Sequence, residues 1–456
     1  DHQLSANRQD VINKTLLPIL KHKKWKKQVA KLTNAGVKHS HALNLIQYLM
    51  QPEDPRLIKI EPSEIATDLK LPLAETIDLL LKAAKLEILN FSWDLVCPDC
   101  RESRKRTNHL EKITEPLYCD HCKKTFHLDF NKTVQIVFQP HPLVRKLSDK
   151  RYSFNSPSNH PHLVMRQMID KGKKQFLKTS PGFGKYKLST NGNTGTIFID
   201  VNPSAPKTNI VKLSEHGVRG QKVSIASVAN LVIYNQTGRK LLVTLENLDW
   251  MKPVTAGEVT SLQRFRNCFP NELIREDTSF HAGGLTIMFT DILNSTQIYS
   301  EAGDESATRQ VINHFETLRR VIESNRGAIV KTIGDSVMAI FRSPILAADA
   351  FFQAQKEIDR AGDSASIKLK AGLHCGDCLA VTLNNRIDYF GNTVNIAARL
   401  VEQASENELV LSDKVYYDSD MQHFLNKSGR NLNIHNFKAE LKGLGRDSYE
   451  LKKISS

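Results

Sequence analysis

The chain has 456 residues, of which 40% are hydrophobic and 25% are charged, a composition that predicts a folded, soluble protein of two to four domains. It excludes a membrane-spanning helix, because no stretch approaches the roughly 18 uninterrupted apolar residues that a span requires, and the opening DHQLSANRQD lacks the apolar core of a signal peptide. The net charge of +14 is concentrated before residue 281, since residues 281–456 hold 20 lysines and arginines against 22 aspartates and glutamates.

The basic N-terminal part favours either an anionic partner or a solvated surface. Residues 7–31 have the pattern of a helix and end in KHKKWKKQVAK. Such a basic amphipathic helix can lie on a membrane or on a nucleic acid, but a solvated face is the simpler interpretation.

Residues 38–96 have the pattern of three helices followed by a strand. The last helix, LAETIDLLLKAAKL, carries an apolar stripe at Leu73, Ile77, Leu80 and Leu81. Helices around a short turn before a strand make residues 1–96 similar to a winged helix-turn-helix, which binds DNA or packs against a partner. Because no base-reading residues stand out, the pattern favours protein interaction over nucleic-acid binding.

Two CxxC pairs follow, formed by Cys97, Cys100, Cys119 and Cys122. Each pair offers two thiolates on one tight turn, and two pairs complete a tetrahedral site. The spacing predicts a zinc ribbon over residues 97–132, with a structural rather than catalytic zinc because four ligands leave no open position. Cysteines used in this way also indicate a reducing compartment and hence a cytoplasmic location.

Residues 133–252 alternate in hydrophobicity like β-strands, as in VQIVFQP and KLLVTLENL. Turn signals such as Asn191-Gly192 separate the strands, and the region is predicted to be a β-rich domain, with a sandwich as one option. Residues 253–282 have the pattern of a helix and a linker.

From residue 283 the pattern changes to helices that alternate with hairpins. LTIMFTDI is a predicted strand, the helix after it has an apolar face, and VKTIGDSVMAIF is a predicted hairpin. IKLKAGLHCGDCLAVTL reads as strand, turn and strand, and TVNIAARLVEQA reads as a helix. The order predicts an α/β layer with helices on one face of a mixed sheet.

Three of these segments, FTDILNST, VKTIGDSVMAIF and DYFGNTVNIAARL, resemble the defining motifs of the class III nucleotidyl cyclases, the adenylate and guanylate cyclases. The resemblance covers residues 283–453 and identifies residues 283–456 as a cyclase catalytic domain. It implies a ferredoxin-like α/β core, a head-to-tail homodimer, and cyclisation of a nucleoside triphosphate with two Mg²⁺ or Mn²⁺ ions. An N-terminal region that contains a zinc ribbon is similar to regions that accompany some bacterial cyclases.

The resemblance implies that Asp291 and Asp335 hold the metal ions, assisted by the backbone carbonyl of Ile292. Carboxylates suit this role because divalent ions such as Mg²⁺ prefer hard oxygen ligands. Either aspartate alone would more often be a turn residue or a helix cap. Together, within these motifs, they indicate a metal site.

The resemblance also implies that Asn395 and Arg399 bind the ribose and the charge of the transition state. They lie four positions apart, on one face of the predicted helix. Lys331 and Asp388 match the adenine-selecting lysine and aspartate, whereas guanylate cyclases typically carry glutamate and cysteine there. A lysine donor beside an aspartate acceptor suits adenine N1 and its amino group, so the sequence predicts ATP over GTP.

Two further lysines are candidates for binding the phosphates. Lys442 matches a triphosphate-binding lysine, and Lys370 stands where many relatives have arginine, which keeps the charge but loses the bidentate fork. The third CxxC pair, Cys375 and Cys378, lies where the family has no metal site. Packing is the favoured interpretation of these thiols, with a redox switch as the alternative.

The sequence therefore predicts an adenylate cyclase that is active as a homodimer and controlled by its N-terminal region through an unidentified ligand or protein. In the family, the metal-binding aspartates of one subunit face the lysine, aspartate, asparagine and arginine of the other, so the sites are composite. The alternatives are a guanylate cyclase, and a nucleic-acid or protein-binding sensor with a degenerate cyclase domain.

Overall fold

The computed structural model describes most of the chain after residue 22. The described ranges are 23–51, 55–98, 103–120, 124–147, 163–176, 182–190, 196–205, 208–214, 222–226, 230–248, 253–276, 278–293, 300, 303–361, 368–427, 432–445 and 448–455. Most of the predicted basic helix, residues 7–22, lies outside this description. None of the helices in the described ranges is both long enough and apolar enough to cross a membrane.

The described part of the N-terminal region begins with four helices. They are α1 (Lys23–Asn34), α2 (His39–Met50), α3 (Pro62–Leu69) and α4 (Leu73–Lys85), with a 3₁₀ turn at Pro55–Ile58. Helix α3 begins with a proline in its first turn, where no intrahelical N–H is needed, and it ends at Lys70 in a left-handed conformation. Helix α4 buries Ile77, Leu80 and Leu81, so the predicted apolar stripe faces the core.

Two small sheets follow these helices. They contain β1 (Leu89–Val96), β2 (Ser103–Thr107), β3 (Leu117–Cys119), β4 (Lys124–Phe126) and β5 (Val134–Pro140). The order is β2-β1-β5, all antiparallel, while β3 and β4 form a separate hairpin. Strand β5 was expected to open the β-rich region, but it pairs with β1 from Leu89 opposite Pro140 to Leu95 opposite Val134.

The β-rich region contains two further sheets. Its strands are β6 (Leu163–Ile169), β7 (Lys174–Phe176), β8 (Gly184–Thr190), β9 (Thr196–Val201), β10 (Thr208–Leu213), β11 (Lys222–Ile225), β12 (Asn230–Asn235) and β13 (Leu241–Asn247). The orders are β11-β9-β8-β13-β6 and β10-β12-β7. Apolar residues of both sheets form one buried cluster, as in a sandwich.

A connecting segment, residues 253–276, leads into the C-terminal domain and contains α5 (Ala256–Thr260) and α6 (Gln263–Cys268). The C-terminal domain consists of β14 (Phe280–Ile292), α7 (Asp304–Ser324), β15 (Ala328–Ile333), β16 (Ser336–Phe341), α8 (Pro344–Ala361), β17 (Leu369–Leu383), β18 (Arg386–Phe390), α9 (Asn392–Leu400), a 3₁₀ turn at Val401–Gln403, β19 (Leu409–Ser412), α10 (Asp413–Tyr416), α11 (Ser419–Lys427), β20 (Asn433–Glu440) and β21 (Ser448–Ser455).

The C-terminal sheet has eight described strands in the order β15-β16-β14-β17-β19-β21-β20, and β18 pairs with the far end of β17. Strands β17 and β19 are parallel and the other neighbours are antiparallel, so the predicted mixed sheet is present. Helices α7 and α8 pack against one face. The opposite face is covered by α9, the connecting segment and the N-terminal region, which share one continuous core with it.

The segment predicted as strand, turn and strand is one strand, β17. The predicted turn is wrong, because Gly376 lies inside the continuous strand. A side chain at Gly376 would come within 2.5 Å of the Thr393 hydroxyl, so this glycine allows α9 to approach the strand closely. Thr393 donates its hydroxyl to the carbonyl of Asp377 at 2.8 Å, which fixes the start of α9 against β17.

The buried imidazole of His314 on α7 makes the stability of the folded protein depend on pH. It is only 3% exposed, neither ring nitrogen has a partner among the described residues, and burial lowers the pKa of its imidazole to about 4. The imidazole is neutral in the folded protein, whereas the unfolded chain takes up a proton near pH 6.5. Its contribution to stability is therefore complete above pH 6.5 and is lost progressively as pH falls from 6.5 towards 4.

We expect His314→Leu to reduce the loss of stability between pH 7 and pH 5 by about 2 kcal/mol, the cost of about 1.5 pH units of protonation. Urea unfolding at both pH values measures this difference. The matched control is His435→Leu, since His435 is exposed on β20. Equal pH dependence in the two variants would contradict the prediction.

Candidate active site

The first group of candidate residues lies at the end of β14. Asp291 accepts a hydrogen bond from the Ser336 hydroxyl at 2.5 Å, and its other carboxylate oxygen lies 3.0 Å from the ammonium group of Lys370. Asp291 and Lys370 are direct partners across β14 and β17, which explains the contact. Ile292 is 3% exposed and closes the strand. The sequence did not indicate Ser336 as a site residue, although a hydroxyl beside Asp335 in an apolar strand was a usable signal.

Asp335 lies at the tip of the hairpin between β15 and β16 and is half-buried. The turn is made possible by Gly334, which has φ of +63° and open space around its α-carbon. The neighbouring Ser336 binds Asp291, so the hairpin tip and the end of β14 are joined. The two carboxylates and the Ile292 carbonyl are hard oxygen donors of the kind that Mg²⁺ and Mn²⁺ accept.

These oxygens do not form a complete metal cage. Within the described ranges, no three histidine, cysteine, aspartate or glutamate side chains converge on one point. A cation held by Asp291 and Asp335 would therefore need further oxygens from water or from a phosphate. Such an open arrangement is usual for Mg²⁺, which retains several waters and is bound through one or two carboxylates together with substrate phosphates.

The second group is an ion pair between two strands. The Lys331 ammonium of β15 lies 2.7 Å from a carboxylate oxygen of Asp388 on β18. Asp388 is buried, with 8% of its side chain exposed, and its other oxygen accepts the backbone N–H of Tyr389 at 2.8 Å. Lys331 also lies 5.3 Å from the centre of the Phe390 ring. The fold thus brings together the donor and the acceptor that the sequence predicts for base recognition.

Asn395 and Arg399 lie on α9, as predicted. Asn395 is exposed. Arg399 forms an ion pair with Glu402, and the exposed fractions of the two side chains are 40% and 46%, respectively. Lys442 is exposed in the turn between β20 and β21. Among the residues that the structure describes, these three side chains make no hydrogen bond or ion pair with the two groups above.

The predicted zinc ligands are only partly described. Cys97 follows β1 and Cys119 ends β3, and both are buried in the N-terminal core. Cys100 and Cys122 lie outside the described residues, so the zinc ribbon stays a prediction.

Cys375 and Cys378 lie three positions apart on β17 and therefore point to opposite faces of the sheet. Cys375 packs against the cluster beneath α7 and α8, and Cys378 belongs to the core on the other face. Burial raises the pKa of both thiols, that of Cys378 to about 11, so neither is a reactive thiolate near neutral pH. The geometry favours the packing interpretation over a disulfide between them.

Comparison with known protein families finds two matches along the chain. Residues 279–443 match the model of the adenylate and guanylate cyclase catalytic domain. Residues 23–161 match a second model, described as a family of unknown function (DUF5939).

Several curated proteins are similar to this chain. Adenylate cyclase 1 of Rhizobium meliloti is 24% identical over 53% of this chain and 43% of its own length. The adenylate cyclase of Mycosarcoma maydis is 28% identical over 34% of this chain and 7% of its own length. An uncharacterized protein of Mycobacterium tuberculosis is 34% identical over 27% of this chain and 31% of its own length. The chain thus spans less than half the length of these relatives.

Solved structures of cyclases are also similar to it. The adenylyl cyclase CyaB from P. aeruginosa is 20% identical, with a TM-score of 0.34 over 39% of this chain and 96% of that one. The guanylate cyclase domain of RhGC from Catenaria anguillulae, in complex with GTP, is 19% identical, with a TM-score of 0.33 over 39% of this chain and 98% of that one. The C-terminal part of this chain is therefore similar to the adenylate and guanylate cyclase catalytic domain, over residues 279–443.

Proposed function

We propose that the protein is an adenylate cyclase, which converts ATP to 3′,5′-cyclic AMP and pyrophosphate. The observation that carries this proposal is the contact of 2.7 Å between Lys331 and Asp388. An ammonium donor beside a carboxylate acceptor matches the acceptor N1 and the donor amino group of adenine. Guanine presents the reverse order, so it would leave both protein groups unpaired at a cost of about 1–3 kcal/mol each.

In the reaction, the ribose 3′-oxygen forms a bond to the α-phosphorus, the bond from this phosphorus to pyrophosphate breaks, and the hydroxyl proton passes to solvent. We assign the binding of two Mg²⁺ or Mn²⁺ ions to Asp291, Asp335 and the carbonyl of Ile292. When held by these residues, such ions would supply positive charge that acidifies the hydroxyl and neutralises the leaving group. Lys370 and Ser336 hold the carboxylate of Asp291 in place, because they contact its two oxygens.

Arg399 stabilises charge on the α-phosphate in this proposal, and Asn395 orients the ribose. Arginine suits the task because its planar group stays charged and can meet two phosphate oxygens at once. Its present partner, Glu402, is solvent-exposed, so an exchange of that ion pair for a phosphate costs little. Lys442 and Lys370 are proposed to contact the triphosphate.

We further propose that the enzyme is a head-to-tail homodimer whose sites combine residues from both copies. Lys331 and Asp335 lie on one hairpin but belong to different groups, since Lys331 contacts Asp388 and the tip joins Asp291 through Ser336. Large apolar side chains are exposed around these strands, namely Ile333 (55%), Leu383 (45%) and Phe390 (42%). A second copy that covers them would bring the two groups into one site.

The N-terminal region is proposed to be regulatory and to hold a structural zinc at Cys97, Cys100, Cys119 and Cys122. The buried positions of Cys97 and Cys119 beside the β3–β4 hairpin support this assignment.

The decisive experiment incubates the full-length protein with ATP and, separately, with GTP in the presence of Mn²⁺. We expect cyclic AMP as the main product, with kcat/KM for ATP at least about tenfold above that for GTP, because two paired groups favour adenine. Product identification by mass spectrometry measures this, and zinc analysis of the same sample should give one zinc per chain. Predominant cyclic GMP would establish the guanylate cyclase alternative, and a dimeric sample without either product would overturn both.

A further inference from the structure

The connecting segment, residues 253–276, contacts the two strands that carry the base-recognition pair. The side-chain carbonyl of Gln263 accepts the backbone N–H of Ile329 at 2.8 Å, two residues before Lys331. The Arg266 guanidinium donates to the carbonyl of Ile387 at 2.8 Å, one residue before Asp388.

A third contact lies on the other side of Asp388. The hydroxyl of Tyr389 donates to the hydroxyl oxygen of Thr260 at 3.2 Å, and both side chains are buried. Thr260 donates in turn to the carbonyl of Ala256 within α5. The backbone of Asp388 is therefore held from the connecting segment both before and after this residue.

The opposite side of the connecting segment is fixed by the N-terminal region. The buried carboxylate of Glu272 accepts hydrogen bonds from the Trp93 indole at 3.0 Å and the backbone N–H of Leu110 at 3.2 Å, and it lies 2.8 Å from His109. The Phe265 ring meets the Trp93 ring edge-on, with centroids 5.8 Å apart. A segment held in this way is a rigid support for the strands above it.

Directional hydrogen bonds connect the segment to these strands, in addition to the apolar core that the two share. A cavity of about 240 Å³ lies between them, and its walls include Phe265, Arg266, Val330 and Ile387. Beside the shared core, the directional bonds of Arg266, Gln263 and Thr260 add specific restraints on where the strands lie.

We propose that Arg266, together with Thr260 and Gln263, positions Asp388 and Lys331 and thereby sets the nucleotide selectivity of the enzyme. The inference rests on the proposed function, because it assigns these residues to the adenine-recognition pair. They are positioning residues, since they act through the strands and do not touch the substrate. The arrangement also makes the N-terminal region the anchor of base recognition.

The test compares Arg266→Ala with Arg264→Ala in the full-length protein. Arg264 lies on the same helix but pairs with Asp78 and Glu323 and not with β18, so it is a matched control. We expect Arg266→Ala to raise KM for ATP about tenfold, with kcat within about threefold, and to lower the ATP-to-GTP ratio of kcat/KM about tenfold, because base binding is used equally in the ground and transition states. Arg264→Ala should retain the wild-type ratio.

A merely structural role predicts a different result, namely a lower active fraction with reduced kcat and unchanged KM and selectivity. Arg266→Lys keeps a donor for the Ile387 carbonyl and should restore part of the selectivity. If Arg266→Ala does not fold, Tyr389→Phe and Thr260→Val each remove the hydrogen bond between these two hydroxyls with almost no change of shape. Each should lower the selectivity about threefold, and the double variant should lower it no further.

Calorimetric titration of the same proteins with ATP and GTP separates this inference from the proposed function. A wild-type protein without turnover, or with preference for GTP, overturns the proposed function. Unchanged ratios of ATP to GTP affinity in Arg266→Ala, or in Tyr389→Phe where that variant replaces it, overturn the inference even if the wild-type enzyme makes cyclic AMP.

Discussion

A mixture of two inactive variants, Asp335→Ala and Arg399→Ala, should recover about a quarter of the wild-type activity. Random pairing makes half of the dimers mixed, and each mixed dimer has one site with both defects and one intact site. Each variant alone should lose at least about a hundredfold in kcat, because Asp335 is assigned to the metal ions and Arg399 to the transition-state charge. Rates of cyclic AMP formation across a range of mixing ratios measure the recovery.

The control for this experiment is a mixture of Asp291→Ala with Asp335→Ala. Both residues belong to the same group, joined through Ser336, so every mixed dimer retains a defect in each site. No recovery is expected. Arg399→Ala is a mild change for folding, since its pair with Glu402 is exposed. If the first mixture forms mixed dimers without recovery, the sites are not shared between two copies.

The candidate site residues could be selected from the sequence because each lies at a recognisable position of a local pattern. Asp291 ends a strand of apolar residues, Asp335 follows the glycine of a hairpin turn, and Asn395 and Arg399 share a helical face. Local patterns of this kind predict structure well, because turns and helix faces depend on residues that are neighbours in the sequence. The contact between Lys331 and Asp388 was accessible only through the resemblance to the cyclases, because 57 positions separate the two residues.

The remaining features depend on contacts that no local pattern encodes. Arg266 meets Ile387 across 121 positions, and Trp93 meets Glu272 across 179. The role of Gly376 could not be predicted from its neighbours in the sequence either. It depends on the close approach of Thr393, which belongs to helix α9. Lys370 was assigned to phosphate from the sequence, and the register of β14 and β17 places it against Asp291. Tertiary pairing, rather than propensity, determines these positions.

Long-range contacts also connect the N-terminal region to the C-terminal domain. A core that continues from α1–α4 to the C-terminal sheet makes the region part of the support of the candidate active site rather than a detached module. Glu272 is the residue where this support is most specific, because three groups of the N-terminal region converge on its carboxylate. The connecting segment therefore links the N-terminal region to β15 and β18 by direct contacts.

The double variant Lys331→Glu with Asp388→Cys should lower the ATP-to-GTP ratio of kcat/KM at least about a hundredfold. It exchanges donor and acceptor for the residues typical of guanylate cyclases, and two mismatched hydrogen bonds cost about 1–3 kcal/mol each. Lys331→Glu alone should fold less well, because it places a second carboxylate against the buried Asp388. The matched control is Lys438→Glu. Lys438 forms an exposed ion pair with Glu450 between β20 and β21, so this substitution should leave the ATP-to-GTP ratio of kcat/KM unchanged. Measured kcat/KM for both nucleotides decides the matter, and an unchanged ratio in a folded double variant would remove this pair from base recognition.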